Sequence, residues 1–171
     1  RRALAQAGFD SVQVVEAQAV PDADFSTVKS PNPESQAAFA LAEELGRKVD
    51  ADVLVATDPD ADRLGVEIRQ PDGSYLNLSG NQIGAIIAKY ILEAHKTAGT
   101  LPENAALCKS IVSTELVTKI AESYGATMFN VLTGFKFIGE KIHEFETQHN
   151  YTYMFGFEES FGYLIKPFVR D

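Results

Sequence analysis

The amino-acid sequence predicts an α/β protein made of two consecutive α/β/α units with mainly parallel mixed sheets. Two observations carry this expectation: segments with helical apolar spacing alternate with short apolar runs along the chain, and several of those runs end in loops bearing reactive side chains. Size is the third, because 171 residues with 45% hydrophobic content can fill real cores, as one large domain or two small ones.

The elements follow in order. Residues 1–8, RRALAQAG, read as a helix already under way and ending at a glycine, without a start signal or initiator methionine, so the chain reads as excised from something longer. Residues 12–15 read as a buried strand and residues 21–33 as turn-rich. Asn32, Pro33 and Glu34 then supply a cap, a proline at the first helical position and an acid in the first turn. Ala38, Leu41, Ala42, Leu45 and Val49 continue at helical spacing, and residues 52–56 form the next strand. Leu64, Val66 and Ile68 alternate with Gly65, Glu67 and Arg69 before the turn at 71–74, so residues 64–69 and 75–78 read as a hairpin. Ser79 and Gln82 form a capping-box pattern opening a helix with Ile83, Ile86, Ile87, Tyr90 and Ile91 on one face. The boundary falls near residue 78, giving units 1–78 and 79–171. In the second unit, strands are expected at 107–112, 128–132 and 153–157, with one helix capped by Ser113 and ending at Gly125 and another led by Thr133-Gly134.

Within this frame, residues 57–63 read TDPDADR and set Asp58, Asp60 and Asp62 at alternating positions, with Arg63 directly behind them. Oxygen donors without nearby Cys or His suit a hard divalent cation, Mg²⁺ above all. An isolated Asp-Pro-Asp is more often a solvated turn than a ligand set. Three like charges crowded between apolar strands, however, repel unless something positive sits among them. An EF-hand is excluded, since the sixth and twelfth positions counted from Asp58 hold Arg63 and Arg69 where Gly and Glu are required. A phosphotransferase with an aspartyl nucleophile stays open as a minor alternative.

Composition narrows the partners. A net charge of -9 argues against nucleic acid or an anionic membrane, and it sits oddly with an anionic substrate. Cys108 is the only cysteine and lies in an apolar run, which suits core packing in a reducing compartment. No apolar run nears the roughly 20 residues needed to span a bilayer, and no signal-peptide layout is present, so a cytoplasmic location is expected.

Two further loops carry chemistry. Residues 156–162, GFEESFG, place Glu158, Glu159 and Ser160 among aromatics, which suits sugar hydroxyls: carboxylates accept, and a serine both donates and accepts. The plain alternative is a helix start capped by acids. Residues 133–136, TGFK, bring Lys136, which could hold a phosphate or relay a proton, although a lone lysine is usually a solvated charge. His95, His143 and His149 have no ligand spacing and read as surface residues, and there is no glycine-rich phosphate loop, nucleophile elbow or zinc motif.

Taken together, TDPDADRLGV, TGFK and GFEESFGY, with FSTVKSPNPE and LSGNQIG in support, resemble the α-D-phosphohexomutase superfamily of phosphoglucomutases and phosphomannomutases over essentially the whole chain. The resemblance implies a four-domain enzyme, with most of domain 2 and much of domain 3 here, and domains 1 and 4 elsewhere in the same polypeptide. It implies Mg²⁺ on Asp58, Asp60 and Asp62, Arg63 facing the transferring phosphate, Glu158 and Ser160 on sugar hydroxyls, and Thr133, Gly134 and Lys136 approaching the sugar from the other side. The implied reaction moves a phosphoryl group from an enzyme phosphoserine to a hexose phosphate and returns the other phosphate from a hexose bisphosphate intermediate. The sugar-loop sequence leans towards glucose, with phosphomannomutase and phosphopentomutase-like activity as alternatives, and a non-catalytic metal-binding α/β module as a reading of another class. Phe157 stands where many members have glycine, and Phe135 stands where one bacterial branch carries a histidine, so a relay through that histidine does not transfer here. The family pattern continues past Asp171 through a lysine used by some members as a general base. The resemblance also accounts for the charge: the phosphate-gripping parts would lie outside this chain.

Overall fold

The computed structural model describes residues 2–168. After a short helix α1 (Arg2–Gln6), the first sheet is built from β1 (Val53–Thr57), β2 (Leu64–Arg69) and β3 (Tyr75–Asn77) in that order. Every pairing in it is antiparallel, from Val53 opposite Ile68 to Thr57 opposite Leu64. The expected strand at 12–15 is absent: those residues pair with none of the three strands, and a four-residue run has no means of its own to bury its backbone groups. Without it the sheet has no parallel neighbour. The aspartate loop therefore bridges two adjacent antiparallel strands, β1 and β2, instead of leaving an open parallel sheet.

The expected helix start at Asn32 also shifts. Asn32 Oδ1 accepts from the Glu34 backbone N–H at 2.9 Å and the Ser35 N–H bonds the Asn32 carbonyl, which closes a turn rather than capping a helix. A 3₁₀ turn (Gln36–Phe39) follows, and α2 (Ala40–Val49) begins only there. It ends at Asp50, in the left-handed region at φ 58°, whose N–H bonds the Gly46 carbonyl. The 3₁₀ turn and α2 cover one face of the sheet, Phe39 and Ala42 packing with Leu54 of β1 and Tyr75 of β3, whose hydroxyl donates to the Ala51 carbonyl at 2.7 Å.

The second sheet runs β5-β4-β6-β7, with β4 (Ala105–Ser110), β5 (Thr127–Val131) and β6 (Thr152–Glu158) parallel and β7 (Gly162–Ile165) antiparallel at the edge. β4 is buried at all six positions, because helices lie on both sides. Ala105 and Leu107 join Ala88, Leu92, Val117 and Ala121 of α3 (Gly80–Thr97) and α4 (Glu115–Ser123). Ala106 and Cys108 join Ile138, Ile142 and Phe145 of α5 (Phe135–Gln148). Burial pushes the Cys108 thiol up to about 12, so it stays a neutral core group. This is the expected α/β/α layering.

α3 opens as expected, with Ser79 and Gln82 bonding each other's backbone N–H in a capping box. Its buried seam differs from the expected apolar face. Ile83, Gly84, Ala85, Ala88, Ile91 and Leu92 face inward, while Ile86 and Tyr90 are 58% and 72% exposed. Small residues let the helix approach the sheet closely: a Cβ on Gly84 would lie 2.4 Å from the buried Phe157 ring, which stacks on Phe155 at 5.8 Å. The larger side chain at 157 thus occupies the room that Gly84 leaves.

One buried group costs stability. Glu67 of β2 is fully buried; one oxygen accepts from Asn77 Nδ2 at 3.3 Å, and the other has no hydrogen-bond partner among the described residues. Burial pushes its carboxyl above the ordinary value of 4.5, with the Asn77 hydrogen bond opposing. Above pH 4.5 the folded state then holds more protons than the unfolded state, so this carboxyl lowers stability as pH rises towards its folded value. Glu67→Gln removes that dependence: the melting temperature of the parent is expected to fall relative to the variant between pH 4.5 and neutrality, and a pH-independent difference would exclude the effect.

Candidate functional site

The site is built where three loops meet. The first is residues 58–63, between β1 and β2. Ala61 sits there at φ 62° and its N–H bonds the Asp58 carbonyl at 3.1 Å, a tight turn that a non-glycine residue adopts only under constraint. It folds the three aspartates inward, and one carboxylate oxygen from each of Asp58, Asp60 and Asp62 lies within 4.8 Å of the others. Asp58 is buried while Asp60 and Asp62 are exposed, so the cluster opens on one side.

Arg63 supplies the positive charge that this crowding requires. Its Nε lies 3.2 Å from Asp58 Oδ2 and 3.8 Å from Asp62 Oδ1, its backbone N–H donates to Asp58 Oδ1 at 3.1 Å, and one terminal nitrogen lies 3.6 Å from Glu34. Burial pushes the Asp58 carboxyl up, but the Arg63 N–H, hydrogen bonds involving Asp62 and Asp60, and the Arg63 charge together hold it below its ordinary value. Asp62 moves the other way, raised by its hydrogen bond to Asp58, then by burial and by the Asp58 and Asp60 charges. The pattern is that of acidic groups sharing too little positive charge, and an oxygen-only, outward-opening cluster fits a hard divalent cation. Beside it, Ser30, Pro31, Asn32, Asp58, Pro59, Asp60 and Arg63 line an open depression of about 530 Å³. Ser30 and Pro31 were legible only as part of a supporting motif, with no role attached.

The second loop, 158–162, joins β6 to β7. Leu64 donates its backbone N–H to the Phe161 carbonyl at 3.0 Å, and Arg63 and Gly162 form an isolated antiparallel bridge. The aspartate loop and this loop therefore share a backbone seam. Phe161 takes a left-handed conformation at φ 71°, offset by burial of its ring with Leu78 and Ile83. The loop rests on the start of α3, with Tyr163 donating to the Gly80 carbonyl at 3.4 Å.

The third loop, 132–134, meets the second through Glu158, whose Oε1 accepts the Gly134 N–H at 2.5 Å. Glu158 is buried and Ser160 half-buried. Phe135 packs on the same loop: a Cβ on Gly162 would lie 2.2 Å from its ring, so this side chain supports the loop from below. Lys136 is exposed and its ammonium lies over the Phe137 ring at 4.8 Å, on the opening turn of α5. Thr133 is exposed beside it.

Ser113 does not cap α4. Thr114 does, accepting from the Leu116 N–H at 3.2 Å, while Ser113 is buried and bonds Glu159. The sequence left Ser110 and Lys109 without a role and grouped Glu159 with Glu158 and Ser160 as suited to sugar hydroxyls, whereas its carboxylate is taken up by Ser110 and Ser113.

Two family descriptions match the chain: phosphoglucomutase/phosphomannomutase α/β/α domain II over residues 1–71, and α/β/α domain III over residues 79–171. The chain belongs to the phosphoglucomutase/phosphomannomutase family. Phosphoglucomutases of Staphylococcus epidermidis and Staphylococcus aureus are 43% and 42% identical to it over 168 residues, 98% of this chain. The chain spans about 30% of the length of these relatives. Among solved structures, a putative phosphomannomutase from Thermus thermophilus superposes with a TM-score of 0.61 at 23% identity, over 86% of this chain and 30% of that one. The parafusin phosphoglucomutase from Paramecium gives 0.58 at 25% identity, over 85% and 24%. The N-acetylphosphoglucosamine mutase of Aspergillus fumigatus, solved with GlcNAc-6P and magnesium, gives 0.53 at 18% identity, over 67% and 22%.

Gly80 tests the fit between this loop and α3. Replacing glycine by alanine in a helix ordinarily gains about 1 kcal/mol. Here the added Cβ would lie 2.0 Å from the Glu159 carbonyl oxygen, a backbone atom, so overpacking of about 1–3 kcal/mol outweighs that gain. Gly80→Ala is expected to lower the melting temperature, and an unchanged or higher value would show that the loop does not rest on this residue.

Proposed function

We propose that this chain is the central part of a phosphoglucomutase that interconverts glucose 1-phosphate and glucose 6-phosphate through a phosphoserine enzyme and a bisphosphate intermediate. Residues 1–78 would form the unit carrying the metal loop and residues 79–171 the unit carrying the sugar loop. The observation that supports this best is the seam at Leu64 and Phe161, which sets the cation-type cluster, Arg63 and the polar loop 158–160 side by side. A transferring phosphoryl needs positive charge, and the sugar that carries it needs hydroxyl acceptors, within the reach of one small molecule.

Each residue then has a task. Asp58, Asp60 and Asp62 would hold Mg²⁺, which when bound supplies Lewis-acid neutralisation of phosphoryl charge. Arg63, which lines the depression and is anchored through Nε to Asp58, would meet phosphoryl oxygens with its terminal nitrogens, one of which lies 3.6 Å from Glu34. Glu158 and Ser160 take sugar hydroxyls, Glu158 with the oxygen that Gly134 leaves free. Thr133 and Gly134 would border the sugar, and Lys136 would be the cation that contacts it or moves a proton.

The phosphoserine and the remaining phosphate contacts would come from domains 1 and 4 of the same polypeptide. The staphylococcal relatives at 43% and 42% identity are named phosphoglucomutases, which supports glucose over the mannose and pentose alternatives. No helix among the described residues is long and apolar enough to cross a membrane, and a cytoplasmic location accords with a lone buried thiol.

In the full-length polypeptide, Asp60→Asn is expected to lower Mg²⁺-dependent kcat/KM by about a hundredfold or more. Mutase activity at the parental level would remove Asp60 from the ligand set. The 171-residue chain alone is expected to show no turnover, and measurable turnover by the purified chain would show that it holds every essential group.

A further inference from the structure

Glu159 stands between two proposed sugar ligands and touches neither task. Its Oε2 accepts from Ser110 Oγ at 2.9 Å and from Ser113 Oγ at 3.0 Å, and its backbone N–H donates to Ser113 Oγ at 3.1 Å. The two buried hydroxyls, one at the end of β4 and one three residues beyond it, lie 2.7 Å apart; each has a single proton, so either both give it to Glu159 or one gives it to the other serine, which passes its own to the carboxylate. Below them lies Lys109, whose fully buried ammonium donates to the Ser113 carbonyl at 3.0 Å and to Glu115 Oε1 at 2.9 Å.

A buried ammonium and two buried hydroxyls are expensive to desolvate unless every donor is used. Here the two hydroxyls reach the backbone and side chain of Glu159, in the middle of the loop between β6 and β7, while the ammonium holds the Ser113 carbonyl and the Glu115 carboxylate. Glu159 is held at both its N–H and its carboxylate, so the peptide units that carry Glu158 and Ser160 are fixed on either side of it. Gly134 holds Glu158 from one flank and the Phe161 seam holds Ser160 from the other.

We propose that Lys109, Ser110, Ser113 and Glu159 form a positioning unit that sets the direction in which Glu158 and Ser160 present their oxygens to a sugar. The inference rests on the mutase reading for the identity of the ligand, but not for the rigidity of the loop. Glu159 is in this account a positioning residue rather than a ligand, and the fully buried lysine is the base on which the unit stands.

The test uses the full-length polypeptide with Glu159→Ala, Glu159→Gln and Ser113→Ala. Glu159→Ala removes the acceptor of two hydroxyls, and KM for glucose 1-phosphate is expected to rise about tenfold with a smaller change in kcat. Glu159→Gln keeps an oxygen facing the serines and is expected to recover most of that loss. Amide exchange at residues 158–160 is expected to accelerate in Glu159→Ala and Ser113→Ala, with the rest of the second sheet unchanged. If Glu159→Gln is as impaired as Glu159→Ala, the carboxylate charge acts on substrate directly and the positioning role is overturned. A lower melting temperature without a change in KM or loop exchange overturns it as well. Absence of mutase activity in the parent with glucose 1-phosphate or mannose 1-phosphate sinks the functional reading alone, and the exchange comparison then decides the positioning role by itself.

Discussion

The contact on which the site depends is a short stretch of backbone pairing, Leu64 to Phe161 with Arg63 against Gly162. Each sheet on its own would hold part of the candidate site: the aspartate cluster and Arg63 at the first, and Glu158 and Ser160 at the second. Main-chain hydrogen bonds are well suited to joining them, because their geometry is set by the peptide units and tolerates little slippage compared with a contact between long side chains. Left-handed residues sit in both loops, Ala61 and Phe161, and each is held by hydrogen bonds or burial that the neighbouring structure supplies.

Charge around Arg63 follows from the same arrangement. Asp58, Asp62 and Glu34 all lie within 4.0 Å of its guanidinium, and Asp60 lies in the same carboxylate cluster. Asp58 and Asp62 move in opposite directions because the pair titrates together: burial opposes, but the Arg63 N–H, the hydrogen bonds with Asp62 and Asp60 and the Arg63 charge hold Asp58 down, while Asp62 is raised by its hydrogen bond to Asp58, by burial and by the neighbouring acids. Part of the chain's net charge of -9 is thus concentrated in this cluster.

What the sequence made legible was local. The Ser79/Gln82 capping box, the apolar run of β4 with helices to either side, and the aspartate cluster are all set by neighbours a few residues apart, and all stand in the structure. What it hid depended on partners far along the chain. Ser113 and Thr114 are equally good caps by type, and only the approach of Glu159, 46 residues on, decides that Ser113 is used elsewhere. Residues 12–15 have strand-like side chains but no strand to pair with, and β7, four residues long, is stabilised by pairing with β6 rather than by its own pattern. The strand pairing that makes the aspartate loop a connector between antiparallel neighbours is a register, and register is not written in composition.

Phe157 and Gly84 occupy one shared volume in the core beneath the loop between β6 and β7. In a close-packed interior such a pair behaves as a single evolutionary character. A lineage can trade bulk from one position to the other in a joint change, whereas enlarging Gly84 alone collides with the ring and shrinking Phe157 alone opens a void. A change of bulk at position 157 is therefore expected to need a matching change at the residue on α3 that faces it, and the loop above can stay constant in sequence while its foundation is exchanged.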